Sequence, residues 1–119
     1  MKKLVFLTGT RADFGKIKSL IRIINSNEDF RCHIFATGMH LNPTYGSTVQ
    51  EIYKSGFNNV YEFANHHVHN HFEMDISLSN TISGFSNYVK GLNPDLIIIH
   101  GDRVEALAGA IVGSLNNIL

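Results

Sequence analysis

Short apolar runs alternate along the chain with longer segments in which apolar residues recur every three or four positions. Runs of this length predict strands, whereas the three-to-four spacing predicts helices with one buried face. The strand pattern fits Leu4–Thr8, Phe30–Ala36, Val60–Phe63 and Leu96–Ile99. A helix is predicted after each of these runs, so strands and helices alternate.

The apolar positions in the helical segments predict which side of each helix is buried. They are Ile17, Leu20, Ile21 and Ile24 in the first helix, Leu78, Ile82, Phe85, Val89 and Leu92 in the third, and Val104, Leu107, Ala108, Ile111, Val112 and Leu115 in the last. The second helix is predicted to be short, since Ser47 and Gln50 form a capping-box start and Gly56 would close it.

This alternation predicts an α/β fold in which a parallel sheet has helices on both faces, because parallel strands need right-handed crossover connections. We expect a Rossmann-like strand order of 3-2-1-4-5, in which strands one and four are neighbours. The last run, Leu96–Ile99, is apolar throughout, which predicts a strand buried on both faces. The loops after Thr8 and His100 should then open side by side at the carboxyl edge of the sheet, where such folds bind ligands.

Composition limits the classes of function. Ten basic and ten acidic side chains give a formal net charge of zero, so neither nucleic acid nor a membrane surface is an expected partner. No apolar run approaches the length of a membrane span, and the single cysteine, Cys32, fits a buried thiol in a reducing compartment. We therefore expect a cytoplasmic protein. Because Asn116-Asn117 precedes the place of a fifth strand, residues 1–119 are expected to form an incomplete N-terminal Rossmann-like domain.

The loop after the first strand can bind an anion. It leads into a helix amino terminus and carries Arg11 and Lys16, five positions apart. Unpaired backbone N–H groups and an arginine suit a phosphate or diphosphate. The alternative is a purely structural turn, in which Thr10 caps the helix, Asp13 follows three positions later and the basic side chains lie at the surface.

The loop after the fourth strand contains Asp102, which also has two interpretations. With Glu105 three positions later it matches a capping box, in which both carboxylates bind helix N–H groups. Alternatively, Asp102 is an acid or base held ionised by Arg11 and His100. Both roles can coexist in one carboxylate.

Histidines supply two further candidates. The cluster His66, His67, His69 and His71 could bind a metal ion, but a mobile surface loop is the favoured interpretation, because structural metal sites draw ligands from separated elements. His40 follows the second strand on the same rim as the two loops, although it could equally be a solvated loop residue.

Three segments in this order resemble the hydrolysing UDP-N-acetylglucosamine 2-epimerases of the sialic acid pathway. They are Gly9–Lys16 (GTRADFGK), Thr37–Leu41 (TGMHL) and His100–Arg103 (HGDR). The non-hydrolysing branch typically has Arg-Pro-Glu after the first Gly-Thr and Gly-Asp-Thr in the later loop, so Ala12-Asp13 and Arg103 favour the hydrolysing branch. The resemblance covers all 119 residues, which correspond to about the first third of such an enzyme.

The resemblance implies the N-terminal part of a glycosyltransferase-B fold, whose two Rossmann-like domains enclose the active site. The reaction implied is UDP-GlcNAc plus water giving N-acetylmannosamine plus UDP, through a glycal-type intermediate and without a redox cofactor or metal. Asp102 would be the acid/base carboxylate and Arg11 would bind the diphosphate. Lys16, His40, Gly101 and Arg103 would be further substrate-binding residues.

Other functions remain open at this stage. The same chemistry could act on a GDP-linked or 2,4-diacetamido sugar, the epimerase could be non-hydrolysing, or the chain could bind a nucleotide sugar without turnover. The complete enzyme is expected to be a homo-oligomer, and residues 1–119 alone are expected to be inactive.

Overall fold

A computed structural model describes residues 1–41, 48–65 and 74–119. Its strands are β1 (Lys2–Thr8), β2 (Phe30–Ala36), β3 (Val60–Glu62) and β4 (Leu96–Ile99), and its α-helices are α1 (Arg11–Asn25), α2 (Val49–Lys54), α3 (Met74–Leu92) and α4 (Val104–Leu115). A short 3-10 helix, Gly38–Leu41, follows β2. Every strand and helix predicted from the apolar pattern is therefore present.

The four strands form one parallel sheet in the order β3-β2-β1-β4. This is the order predicted for the first four strands of a Rossmann-like fold. Strand β1 pairs with both β2 and β4, so it lies between them, and its residues from Leu4 to Thr8 are buried.

Two hydrophobic cores cover the two faces of the sheet, as the strand periodicity requires. Leu4 and Phe6 of β1 contribute to the core that contains α1 and α2, whereas Val5 and Leu7 contribute to the core that contains α3 and α4. Cys32 lies buried in the first core, and burial raises the pKa of its thiol. The prediction of a buried thiol is confirmed.

The predicted buried faces of two helices were partly wrong. Helix α1 buries Phe14, Ile17 and Ile21, which leaves Leu20 44% exposed. Helix α4 leaves Leu107 51% and Leu115 79% exposed.

Helix α4 packs against the sheet through small residues instead. A Cβ atom on Gly109 would lie 2.7 Å from Cγ2 of Ile99, so the helix approaches the sheet too closely for a larger side chain at this position. The buried face therefore follows the small side chains of α4, and the leucine spacing predicted the wrong side.

Strand β4 is also less buried than predicted. Its first three residues are half-buried and Ile99 is 37% exposed, because the strand lies at one edge of the sheet in the described residues. The backbone N–H of Ile97 donates to the carbonyl of Leu119 at 2.6 Å, so the chain beyond α4 returns to this edge.

Helix α2 agrees with its prediction at the carboxyl end. Gly56 has φ +90° and its N–H donates to the carbonyl of Tyr53 at 3.0 Å, which closes the helix. The helix begins at Val49, and Ser47, the predicted cap, lies outside the described residues. None of the helices described is long and apolar enough to cross a bilayer.

Candidate functional site

The loops after β1 and β4 begin at the same level of the sheet. Leu7 of β1 pairs with Ile99 of β4, so the residues that follow each strand emerge next to each other at the carboxyl edge. The predicted juxtaposition of these two loops is confirmed. Most of the buried polar side chains of the described chain also lie at this edge. The full set is Thr8, Thr37, His40, Asn65, Ser77, Thr81 and Glu105.

The β1 loop leads directly into α1. Thr10 is the N-cap, and its hydroxyl accepts a hydrogen bond from the N–H of Asp13 at 3.1 Å, as the structural interpretation predicted. Arg11 is the first helical residue and is exposed, so its charge lies at the positive end of the helix dipole. An anion bound in front of α1 would interact with both the Arg11 side chain and the positive end of the helix dipole.

Lys16 does not lie beside Arg11. Both residues are in α1 and exposed, and a separation of five positions places them about 140° apart around the helix axis and more than one turn apart along it. The described structure thus brings Arg11, but not Lys16, to the amino terminus of the helix.

His40 is buried, so the alternative of a solvated loop histidine was wrong. Its Nε2 lies 2.9 Å from the hydroxyl of Thr8, and its Nδ1 lies 3.0 Å from the hydroxyl of Thr48. Burial lowers the pKa of His40 to about 4, although the charge of Asp13 acts in the opposite direction. His40 is therefore neutral at physiological pH and ties β1, the 3-10 helix and α2 together.

The β4 loop contacts the first turn of α1. Gly101 has φ +122°, and a Cβ atom on it would lie 2.9 Å from Oδ1 of Asp13. Only glycine fits this position without strain or collision. The Nδ1 atom of His100 is 3.6 Å from the same Asp13 oxygen, so His100 pairs with Asp13, while Asp102 is exposed at the tip of the loop.

The capping-box interpretation of Asp102 and Glu105 was wrong. Helix α4 begins at Val104 with Arg103 at the N-cap position, and no side chain caps it. The side chain of Glu105 is 2% exposed and turns inward, away from the helix terminus. Asp102 is thus not required as a cap, and its carboxylate lies at the surface of the site.

Glu105 is a buried carboxylate at the centre of this edge. Its Oε2 is 3.7 Å from Nε of Arg103, and its Oε1 accepts a hydrogen bond from the side-chain amide of Asn65 at 3.5 Å. Two glycines face it: a Cβ on Gly38 would lie 2.3 Å from Oε1, and a Cβ on Gly9 would lie 3.1 Å from Cγ. The segments after all four strands therefore meet at one side chain.

A line of hydrogen bonds continues from Glu105 into α3. Asn65 Nδ2 also donates to the hydroxyl of Thr81 at 2.8 Å, and that hydroxyl donates to the carbonyl of Ser77 at 2.6 Å. Neither Glu105 nor Asn65 is predicted as a site residue from the sequence. For Glu105 the signal was its spacing of three, four and seven positions from the small or apolar residues Ala108, Gly109 and Val112 on the buried face.

The histidine cluster from His66 to His71 lies outside the described residues. Among the residues that are described, no group of three or more His, Cys, Asp or Glu side chains could hold a metal ion. At this edge the exposed cation Arg11 lies at the amino terminus of α1 and the exposed carboxylate Asp102 lies on the neighbouring β4 loop, with Arg103 and the His100–Asp13 contact at the same edge. That combination can bind an anionic group and exchange a proton beside it.

Several known proteins align with this sequence over nearly its full length, and two of them identify its relatives. The chain is 43% identical over 119 residues to UDP-N-acetylglucosamine 2-epimerase of Neisseria meningitidis and 34% identical over 122 residues to UDP-N,N'-diacetylbacillosamine 2-epimerase (hydrolyzing) of Legionella pneumophila. The alignments cover 100% and 99% of this chain but only 31% and 32% of those proteins. The chain thus spans about a third of the length of these relatives.

The fold matches a solved structure of the same kind. The crystal structure of UDP-GlcNAc 2-epimerase from N. meningitidis bound to UDP-GlcNAc superposes with a TM-score of 0.80 at 19% identity, over 99% of this chain and 30% of that one. The described residues therefore have the Rossmann-like fold of the N-terminal part of a glycosyltransferase-B architecture. A sequence profile described as UDP-N-acetylglucosamine 2-epimerase matches residues 22–119, and the chain therefore belongs to this family.

Proposed function

We propose that the protein is a hydrolysing nucleotide-sugar 2-epimerase, which converts UDP-GlcNAc and water into N-acetylmannosamine and UDP. The observation that carries the proposal is family membership together with 43% identity to the meningococcal UDP-N-acetylglucosamine 2-epimerase. The hydrolysing reaction is supported by the Legionella relative, whose name specifies it. The proposal concerns the complete enzyme, since these relatives are about three times as long as this chain.

The proposed reaction has two steps. In the first, the bond between C1 and the UDP oxygen breaks while the C2 proton leaves to a base, giving a glycal and UDP. In the second, a hydroxyl group from water adds to C1 and a proton returns to the opposite face of C2, giving N-acetylmannosamine. The sum is neutral in oxidation state, so the proposal includes no redox cofactor, and it assigns no step to a metal.

Arg11 is proposed to bind the diphosphate. Negative charge grows on the UDP oxygens as the C1–O bond breaks, and a fixed cation is most stabilising where charge develops. Two features support this role: Arg11 is exposed at the first position of α1, and the helix terminus adds its own positive potential. Arg11 therefore acts on the leaving group.

Asp102 is proposed as the catalytic acid or base. Its carboxylate is exposed on the loop next to the amino terminus of α1, and α4 makes no use of it as a cap. A proton acceptor beside the diphosphate site would lie near C1 and C2 of the sugar. Gly101 would allow close approach to the substrate, and Arg103 would supply a second positive charge.

The two remaining predicted binding residues, Lys16 and His40, have different roles in the proposal. Lys16 stays a proposed binding residue, although it lies away from the start of α1. His40 is buried, so we propose that it supports the β1 loop through Thr8 and does not itself contact the sugar. The proposed partner is a nucleotide sugar, and a cytoplasmic homo-oligomer remains our expectation for the complete enzyme.

A reaction in D2O tests the proposal. The full-length protein is incubated with UDP-GlcNAc and followed by proton NMR. We expect UDP and N-acetylmannosamine carrying one deuterium at C2, because the second proton transfer draws on solvent. Accumulation of UDP-N-acetylmannosamine would instead identify a non-hydrolysing epimerase. UDP binding without any turnover would identify a binding module. We expect residues 1–119 alone to release no UDP.

A second substrate is favoured by one comparison. The Legionella relative is named for UDP-N,N'-diacetylbacillosamine, a 2,4-diacetamido sugar. Measuring kcat/KM for this sugar nucleotide and for UDP-GlcNAc in parallel decides between the two. We expect UDP-GlcNAc to be preferred, and a preference of tenfold or more for the diacetamido sugar, or for a GDP-linked one, would reverse the substrate assignment.

A further inference from the structure

We propose that Glu105 is a positioning residue, which fixes the Arg103 guanidinium, and with it the loop carrying Asp102, for the diphosphate of the substrate. The inference rests on the proposed function and extends it to a residue that does not itself touch the sugar nucleotide. Its starting point is that the segments after β1, β2, β3 and β4 all contact this one side chain.

The space around Glu105 is shaped for a carboxylate. Gly9 and Gly38 lie above it, and a Cβ on either would come within 3.1 Å of a Glu105 side-chain atom. Gly38 also has φ +62°, a conformation that glycine adopts without strain. The two loops can therefore close over the Glu105 side chain only because neither carries a side chain of its own here.

The charge of Glu105 is compensated mainly from the β4 loop. A buried carboxylate is costly unless a cation or several N–H donors face it. The described neighbours of Glu105 are the Arg103 guanidinium, whose Nε is 3.7 Å from Oε2, and the neutral amide of Asn65. At 3.7 Å this contact is an ion pair and not a hydrogen bond, so the buried negative charge attracts the Arg103 side chain, which is 25% exposed and reaches the surface of the site.

A purely structural role makes a different prediction. The hydrogen-bond line through Asn65 to Thr81 could mean that Glu105 only joins α4 to α3. Loss of Glu105 would then lower stability and would act on catalysis independently of Arg103. If Glu105 acts through Arg103, its loss should have no further effect once Arg103 is gone.

The first arm of the test is a double-mutant cycle in the full-length protein. Glu105→Gln keeps the shape of the side chain and removes its charge. We expect KM for UDP-GlcNAc to rise about tenfold with kcat within threefold, and Glu105→Asp to recover part of the loss. In an Arg103→Ala background, Glu105→Gln should change kcat/KM by less than twofold. Glu28→Gln, an exposed glutamate before β2, is the matched control and should leave KM unchanged.

The second arm is independent of turnover. The Nε–H proton of Arg103, assigned by its loss in Arg103→Lys, should exchange with solvent at least tenfold faster in Glu105→Gln than in the parent protein. Additive effects on kcat/KM, or unchanged exchange, would overturn the positioning role. Absence of turnover and UDP binding in the parent protein would overturn the proposed function instead, and the exchange measurement would still decide whether Glu105 holds Arg103.

Discussion

The loops after β1 and β4 lie side by side but are held in different ways. The β1 loop is fixed by neutral hydrogen bonds: the Thr10 hydroxyl caps α1, and the buried His40 ring is hydrogen-bonded to the Thr8 hydroxyl. The β4 loop has no side-chain cap on α4; Nδ1 of His100 lies 3.6 Å from Oδ1 of Asp13, and Arg103 pairs with the Glu105 carboxylate at 3.7 Å. The capping contact of the β1 loop is local, whereas Glu105 at the end of the β4 loop is enclosed by Gly9, Gly38 and Asn65 from distant parts of the chain.

This difference explains why similar sequence patterns had different outcomes. Both loops show a capping residue followed three positions later by a carboxylate. In the β1 loop the cap forms as predicted, because its partners lie within the same turn. In the β4 loop Glu105 instead lies beneath Gly9 and Gly38, because these two glycines from other loops leave space for its side chain. Tertiary contacts decided what the local pattern could not.

The largest expected effect is the acid sensitivity of the β1 loop, which His40 supports through a hydrogen bond to Thr8. His40 has a pKa of about 4 in the folded protein, below the ordinary value of 6.5 for histidine. Between these values the unfolded chain binds a proton that the folded protein does not, so stability is complete above pH 6.5 and falls as the pH drops toward 4. The loss should reach about 3 kcal/mol, at about 1.4 kcal/mol per pKa unit.

Urea unfolding at several pH values from 4 to 7 measures this effect. In His40→Gln the slope of unfolding free energy against pH should flatten over this range. A smaller slope should remain, because burial and the charges of Arg31 and Lys3 lower the pKa of His33 as well. An unchanged slope in His40→Gln would show that His40 is not the acid-sensitive link of the β1 loop.

The second prediction concerns Asp102 in the β4 loop. Asp102→Asn removes the charge and the capacity to carry a proton, so kcat of the full-length enzyme should fall roughly a hundredfold or more. The melting temperature should change little, because Asp102 is exposed and α4 has no side-chain cap to lose. Steady-state kinetics and thermal melts check both parts. Near-normal turnover in Asp102→Asn would mean that another carboxylate carries out the proton transfer.

The sheet and its strand order followed from the sequence, because apolar runs and helical spacing report on burial along a single element. The strand limits of β2 and the N-cap of α1 were correct for the same reason. Two features could not be predicted in this way. The buried face of α4 depends on how closely Gly109 approaches Ile99, and the half-buried state of β4 depends on its place at the sheet edge.

The site was predicted in outline but not in its interior. Parallel topology placed the β1 and β4 loops together, and Thr10 caps α1 as the pattern indicated. The burial of His40 and the position of Glu105 depend on neighbours from other strands. A single sequence does not specify such long-range pairs, because the distance along the chain between Glu105 and Gly38 gives no local periodicity.

The third prediction tests the space above Glu105. A Cβ added by Gly38→Ala would collide with the Glu105 carboxylate and with the carbonyl oxygen of Gly9, at 2.3 and 2.9 Å, and the residue has φ +62°. We expect a loss of roughly 1 to 3 kcal/mol in unfolding free energy, as for other overpacked sites. Gly91→Ala is the matched control, since nothing lies within 4 Å of its Cβ in α3, and it should be neutral or stabilising by up to about 1 kcal/mol. Equal effects of the two substitutions would mean that Glu105 does not occupy this space.

The smallest expected effect isolates the cap of the β1 loop. Thr10→Ala removes the hydroxyl that accepts from the N–H of Asp13, so unfolding free energy should fall by about 1 kcal/mol, the usual cost of losing such a cap. Thr10→Ser keeps the hydroxyl and should recover most of that loss. The corresponding change in the β4 loop, Asp102→Ala, should cost only a few tenths of a kcal/mol, since its carboxylate caps nothing. Urea unfolding of the three variants at pH 7 makes the comparison directly. If Asp102→Ala cost as much as Thr10→Ala, the two loops would share one capping design, and the assignment of Asp102 to proton transfer would lose its structural support.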